Sequence, residues 1–184
     1  MIFLDFDRTL FDTDAFNLLI LAQPLLAPHA ERVHAFPPGS PERQAVWREL
    51  VVLMQQGQVT FSADQVASFL YPDVKAFFKR HQSDIVVVTF GARIMQEFKI
   101  NAALPSCRDI VYVEAGTKGE AIARWLQGVV PEGVFVDDRL VELDATHTVC
   151  PNLRIFEMRR DGKPGSGTYP VVHSLSELER VMLK

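Results

Sequence analysis

Seven polar positions in this 184-residue chain have the types and spacing to do chemistry together. Asp5 and Asp7 stand one residue apart in "MIFLDFDRT", directly after an apolar run. Thr89 and Gly91 end "VVVTFG", Asp137 and Asp138 end "VFVDD", and Lys118 lies between the last two groups. Like charges brought within a few ångströms either raise one another's pKa or take up a cation. Four carboxylates with oxygen as the only donor suit a hard divalent ion, Mg2+ above all, which needs one or two carboxylates, waters and a phosphate oxygen. Zinc fits poorly, because no His or Cys joins the set. Lys118 adds a second positive charge. Alternate residues of a strand point the same way, so Asp5 and Asp7 leave the first strand on one side and can face one ligand beyond its end. One carboxylate can then attack a phosphorus atom while the other handles the leaving-group proton.

The elements that must position these residues are short apolar runs. Met1–Leu4, Ile85–Val88, Ile110–Val113, Val134–Val136 and Leu153–Met158 read as strands, rich in β-branched and aromatic residues. Helical patterns alternate with them: "DVKAFFKRH", "ARIMQEFKI", "TKGEAIARWLQGV" and "SLSELERVML", the last capped by Ser174. Strands buried on both faces and alternating with helices imply an α/β fold, a Rossmann-like parallel sheet with helices on both faces. In such sheets ligands bind beyond the carboxyl ends of the strands, and that is where all seven polar positions fall.

Residues 14–70 break the alternation. "DAFNLLILAQPLL", "SPERQAVWRELVVLMQQ" and "SADQVASFL", capped by Ser62, read as amphipathic helices, with "HAFPPGSP" as a linker. The expected organisation is a Rossmann-like core of residues 1–13 and 71–184 with a small helical cap, 14–70, inserted after the first strand. The glycine-rich "DGKPGSGTYP" (161–170) is expected to turn a hairpin, since it carries no phosphate-binding pattern and opens no helix.

The net charge of -4 and pI near 5.7 leave no general nucleic-acid footprint. Cys107 and Cys150 form no CxxC pair, as expected of a reducing, cytoplasmic setting. The opening apolar run stops at Asp5, unlike a signal peptide, and no apolar run reaches the roughly 18 residues of a membrane span. Composition leaves the oligomeric state open.

In this order the motifs resemble the haloacid dehalogenase superfamily. "DFDRT" resembles its motif I, DxDx[TV], and "VVVTFG" its motif II. Lys118 resembles the motif III lysine, and "VFVDDR" resembles motif IV in its double-Asp form. The helical insertion between motifs I and II resembles the family's C1 cap. The resemblance implies that Asp5 is the nucleophile that becomes an aspartyl phosphate and also binds Mg2+. Asp7 would protonate the leaving oxygen, later deprotonate water, and bind the metal through its backbone carbonyl. Thr89 and Gly91 would meet the phosphoryl oxygens, and Lys118 would neutralise Asp5 and the transferring group. Asp138 would bind the metal with Asp137 holding a metal water or Lys118, or the two in reverse order. As a proton donor Asp7 must start protonated, and its negative neighbours raise its pKa, with Mg2+ and Lys118 opposing. The second Asp is missing from the family's dehalogenases, so its presence implies a Mg2+-dependent phosphatase. Its substrate would be a small phosphorylated metabolite admitted under the cap, not a nucleic acid or a membrane.

The alternatives are a phosphotransferase on the same scaffold and a catalytically silent binding protein, which would be expected to have lost a motif. A signalling receiver module places its acidic pair first and its Lys last, unlike this chain. Arg8 stands where the family's commonest pattern has glycine, as an ion-pair partner or a substrate anion contact. Trp47 and Trp125 read as core residues, and Arg139, Arg159 and Arg160 as solvated or ion-paired.

Overall fold

A computed structural model of the chain describes residues 1–37, 40–129 and 132–182. The described strands make one six-stranded sheet in the order β3-β2-β1-β4-β5-β6. These are β1 (Ile2–Leu4), β2 (Ile85–Phe90), β3 (Asp109–Val113), β4 (Gly133–Asp137), β5 (Leu153–Met158) and β6 (Val171–Val172). All the pairings are parallel. β1 lies at the centre, with Ile2–Leu4 in register with Ile85–Val87 on one side and Val134–Val136 on the other. A strand flanked on both edges and covered on both faces must be apolar throughout, as "IFL" is. The strand order reverses direction at β1, the point where open α/β sheets form a binding crevice.

Alternation along the strands divides the core into two clusters. Ile2, Leu4, Ile85, Val87, Val134 and Val136 point to one. There they meet α5 (Val74–His81), α6 (Arg93–Ala103) and α9 (Leu175–Met182). Phe3, Val86, Val88, Phe135 and Ile155 point to the other, against α7 (Lys118–Leu126) and α8 (Leu140–Val149). The expected caps are present: Ser174 Oγ accepts from Glu177 N (3.1 Å) and Ser62 Oγ from Gln65 N (3.1 Å).

Between β1 and β2 run α1 (Thr13–Leu21), α2 (Ala27–His34), α3 (Pro41–Gln55) and α4 (Ala63–Ala67). α3 and α4 both pack on α6, and the apolar residues of this block, Phe16, Ile20, Leu50, Val51 and Val66 among them, continue the first core cluster. The chain leaves and re-enters the sheet side by side, with Asp12 N donating to Phe69 O (2.8 Å) and Tyr71 N to Leu10 O (3.0 Å). Phe11 bridges the two parts, stacked on Phe6 (5.1 Å) and edge-on to Phe16 (5.3 Å). In the linker "HAFPPGSP", Pro38 and Gly39 lie outside the described residues.

Two features depart from the sequence reading. Residues 161–170 do not turn a hairpin, because β6 pairs parallel to β5 and a parallel neighbour has to be reached by a crossover. Glu157 organises that crossover by accepting from the backbone and hydroxyl of Ser166 (2.8 Å each). Helices α2 and α8 were not expected. Trp125, read as a core residue, is half-buried at the edge of the second cluster, packing edge-on to Phe3 while its indole N–H donates to Asp109 (2.6 Å). Among the described residues no helix is long and apolar enough to cross a membrane.

Candidate active site

β1 ends at Leu4, and Asp5 follows with its backbone N–H still bonded to Val136 O on β4 (2.9 Å). Its carboxylate is almost fully buried and meets Lys118 Nζ at 2.5 Å. The same ammonium donates to Asp137 Oδ2 at 2.6 Å. Lys118 owes its position to a capping box in which Thr117 and Glu120 bond reciprocally and start α7 at this residue. Glu142 of α8 then accepts from Lys118 N (2.9 Å), placing negative charge at the start of α7. Gly119 permits this approach, since a Cβ there would lie 2.8 Å from Ala145 O.

One carboxylate oxygen from each of Asp5, Asp137 and Asp138 lies within 4.8 Å of the other two. Burial pushes the Asp5 carboxyl well up; Lys118 opposes, and Asp137, Asp138 and Asp7 add to the rise. Burial and the charge of Asp137 push Asp138 up to about 6. Burial alone would lower Lys118, but Asp137 and Asp5 outweigh it and raise its pKa. The two motif IV carboxylates are not equivalent. Asp137 is fully buried, with one oxygen on Lys118 and the other accepting from Arg139 N (2.9 Å). Asp138 lines a cavity of about 280 Å3 that opens over the strand ends.

Asp7 lines the same cavity but is held from the opposite layer of the fold. Lys99 of α6 forms an ion pair with its Oδ1, Thr13 donates to that oxygen (2.5 Å), and Gln96 donates to Oδ2 (2.7 Å). Lys99 is buried, its ammonium 5.3 Å from the centre of the Phe6 ring. Burial works to raise the Asp7 carboxyl, but the charge of Lys99 and the three donated bonds hold it below the usual carboxylate range. The expected raised pKa is therefore corrected. Nothing in the chain's linear order ties Lys99 to Asp7. The period-two argument also stops at Leu4, where the strand stops, so Asp5 and Asp7 share a cavity while taking partners from opposite sheet faces.

Thr89, at the end of β2, is buried, and its hydroxyl has no partner. Gly91 adopts φ +141°, and a Cβ there would lie 3.1 Å from Gln96 Nε2. Arg8 adopts φ +60°, the left-handed region that glycine enters freely, which accounts for the family's usual residue there. Its guanidinium clasps Asp14 through Nε and Nη2 (2.8–3.1 Å) and also lines the cavity. Arg139 sits 3.7 Å from Glu142 and lines the cavity too, as does Trp47, which the sequence reading confined to the core. Arg160 is ion-paired with Asp73 (2.8 Å), as read.

Sequence reasoning missed Lys99, Gln96 and Glu142. For α6 a signal existed: Met95, Gln96, Lys99, Ile100 and Ala103 form its buried face, so a lysine and an amide interrupt an apolar stripe.

No protein-family model and no curated protein matches the chain. Solved structures do match over essentially its whole length. The UTR4 protein of Saccharomyces cerevisiae is 16% identical at a TM-score of 0.60, covering 96% of this chain and 98% of its own. The L-2-haloacid dehalogenase of Xanthobacter autotrophicus is 14% identical at 0.62, covering 99% and 97%. A haloacid dehalogenase-like hydrolase of Xanthomonas campestris is 14% identical at 0.57, covering 99% and 93%. With its 3-2-1-4-5-6 parallel sheet and helical block after the first strand, the chain has the haloacid dehalogenase-like fold.

Proposed function

We propose that the chain is a Mg2+-dependent phosphatase of small phosphorylated metabolites, acting through an aspartyl phosphate on Asp5. One observation carries this reading: three carboxylates each offer an oxygen within 4.8 Å of the others, with one ammonium among them, and two of the three, Asp5 and Asp138, line a cavity. That donor set is all oxygen and negatively overcharged, as the raised pKa of both Asp5 and Asp138 reflects, so it fits a hard divalent cation. Asp5 and Asp138 would hold the ion, while Asp137 is committed to Lys118 and Arg139 N. When bound, Mg2+ would offset the charge of this cluster and of the phosphoryl group.

The chain's own residues then divide the work. An Asp5 oxygen bonds to phosphorus as the bond to the leaving oxygen breaks. Lys118 stays on Asp5 and balances charge on the transferring group, and the unpartnered Thr89 hydroxyl is the donor for a phosphoryl oxygen. Asp7 handles the proton: its minor protonated form gives one to the leaving oxygen, and the carboxylate so formed takes one from the water that releases Asp5. Lys99 keeps Asp7 a carboxylate at rest, which favours the second of these tasks and leaving groups that need little protonation. α1 and α3 act as the cap, contributing Phe16, Asn17, Arg43 and Trp47 to the cavity wall. A cavity of about 280 Å3 is at the small end of ligand sites and suits a small metabolite.

Halide release from a 2-haloacid would use the same nucleophile, and the Xanthobacter protein is named for it. The family resemblance links that chemistry to motifs without a second Asp, and Asp7 is present. The deciding experiment sets phosphate release from p-nitrophenyl phosphate, with Mg2+ and with EDTA, beside halide release from 2-chloropropionate. Phosphate release lost in EDTA and restored by Mg2+ supports the reading. Halide release alone, or full phosphate turnover in chelator, contradicts it.

A further inference from the structure

Five cationic side chains line the cavity, and four of them have a carboxylate partner: Lys118 with Asp5, Lys99 with Asp7, Arg8 with Asp14, and Arg139 with Glu142. The fifth, Arg43 in the first turn of α3, has none within ion-pair distance among the described residues. Its one described side-chain bond is from Nη1 to the Phe36 carbonyl (3.2 Å), which anchors the guanidinium and leaves its charge unbalanced. It is half-buried, and burial lowers its pKa, as expected of a cation partly withdrawn from water without compensation. Trp47, one turn along α3 from it, and Phe16 of α1 add flat apolar side chains to the wall of the same cavity.

Resting on the phosphatase reading, we propose that Arg43 and Trp47 form a subsite for the far end of the substrate, and that the substrate is a phosphate monoester carrying a carboxylate on a flat or apolar body. The charge count argues for a carboxylate. A single uncommitted guanidinium balances one negative charge, presents a planar fork to a planar anion, and enters the cavity from α3 of the helical block while Asp5 and Asp138 enter it from the strand ends. A neutral tail would leave the Arg43 charge desolvated and unmatched.

The test compares 4-carboxyphenyl phosphate with 4-carbamoylphenyl phosphate, two esters of like shape, using the full chain with Mg2+. A charged hydrogen bond of about 1.5–3 kcal/mol corresponds to roughly 10–100-fold. The wild type should favour the carboxyl ester in kcat/KM by that factor, mainly through KM. Arg43→Gln should bring the ratio close to one, and Arg43→Lys should restore part of it. Arg32→Gln, on the exposed face of α2, should leave the ratio unchanged. Two non-hydrolysable ligands, 4-carboxybenzylphosphonate and its amide, are titrated calorimetrically in parallel. Hydrolysis of both esters without carboxyl preference, or a preference that survives Arg43→Gln, overturns the subsite and leaves the phosphatase reading standing. Hydrolysis of neither ester overturns the phosphatase reading, and the phosphonates then decide the subsite. Tighter binding of the acid, lost in Arg43→Gln, upholds it; equal binding of acid and amide refutes it.

Discussion

Lys99 and Asp7, 92 positions apart in the chain, form an ion pair in the cavity wall in which the lysine side chain is 4% exposed and the aspartate 24%. Removing either partner strands a buried charge, which costs about 3–5 kcal/mol, whereas removing both together costs less. Lys99→Met and Asp7→Asn are therefore each expected to destabilise the fold. The double variant should lie about 1–3 kcal/mol closer to wild type than the sum of the singles. Urea unfolding of the four proteins measures this coupling. Additivity within about 0.5 kcal/mol would mean the pair is not a coupled unit.

Gly91 carries the next prediction. Alanine would be strained at φ +141° and its Cβ would press on the Gln96 amide, one of the three donors on Asp7. A disfavoured backbone conformation costs about 1–3 kcal/mol. Gly91→Ala should lower stability by that amount, and should lower kcat more than Ala substitution at Gly57, which meets nothing within 4 Å. Equal kcat values for the two variants would disconnect Gly91 from the site.

The adjacent motif IV carboxylates should separate by experiment. Asp138→Asn removes an oxygen facing the cavity and should weaken Mg2+ binding by at least tenfold, measured by calorimetry, with little change in the melting temperature. Asp137→Asn removes a partner of the buried Lys118 and should cost about 3 kcal/mol in unfolding. The reverse pattern would exchange their roles.

The sequence announced the sheet because its strands are buried on both faces, so burial itself wrote the runs "IVVV" and "VFV". Asp5, Lys118 and Asp137 could be grouped in advance because each follows directly from a strand end or a helix start, positions that periodicity and capping reveal. Asp7 was legible as a site residue and illegible in its charge state, because its partner sits mid-helix on α6 and reaches it only through the packing of α6 on the sheet. The crossover 161–170 resembled a turn because glycine and proline mark a change of direction without stating whether the next strand runs parallel or antiparallel.

The central claim is that Asp5 carries the phosphoryl group, and the leaving group offers a way to catch it there. General acid-base catalysis is worth about 10²–10⁴-fold, so Asp7→Asn should lose roughly that factor in kcat/KM on alkyl phosphates and less on p-nitrophenyl phosphate, whose leaving group scarcely needs a proton. With p-nitrophenyl phosphate this variant should still form the aspartyl phosphate and then stall, since the group proposed to activate water is gone. The most direct measurement is a rapid-mixing experiment on Asp7→Asn with Mg2+, followed by acid quench, borohydride reduction and peptide mass spectrometry. The account predicts a near-stoichiometric burst of p-nitrophenol and conversion of residue 5 to homoserine, both absent in Asp5→Asn. Steady turnover without a burst, or a phosphoryl group found on another residue, would contradict it.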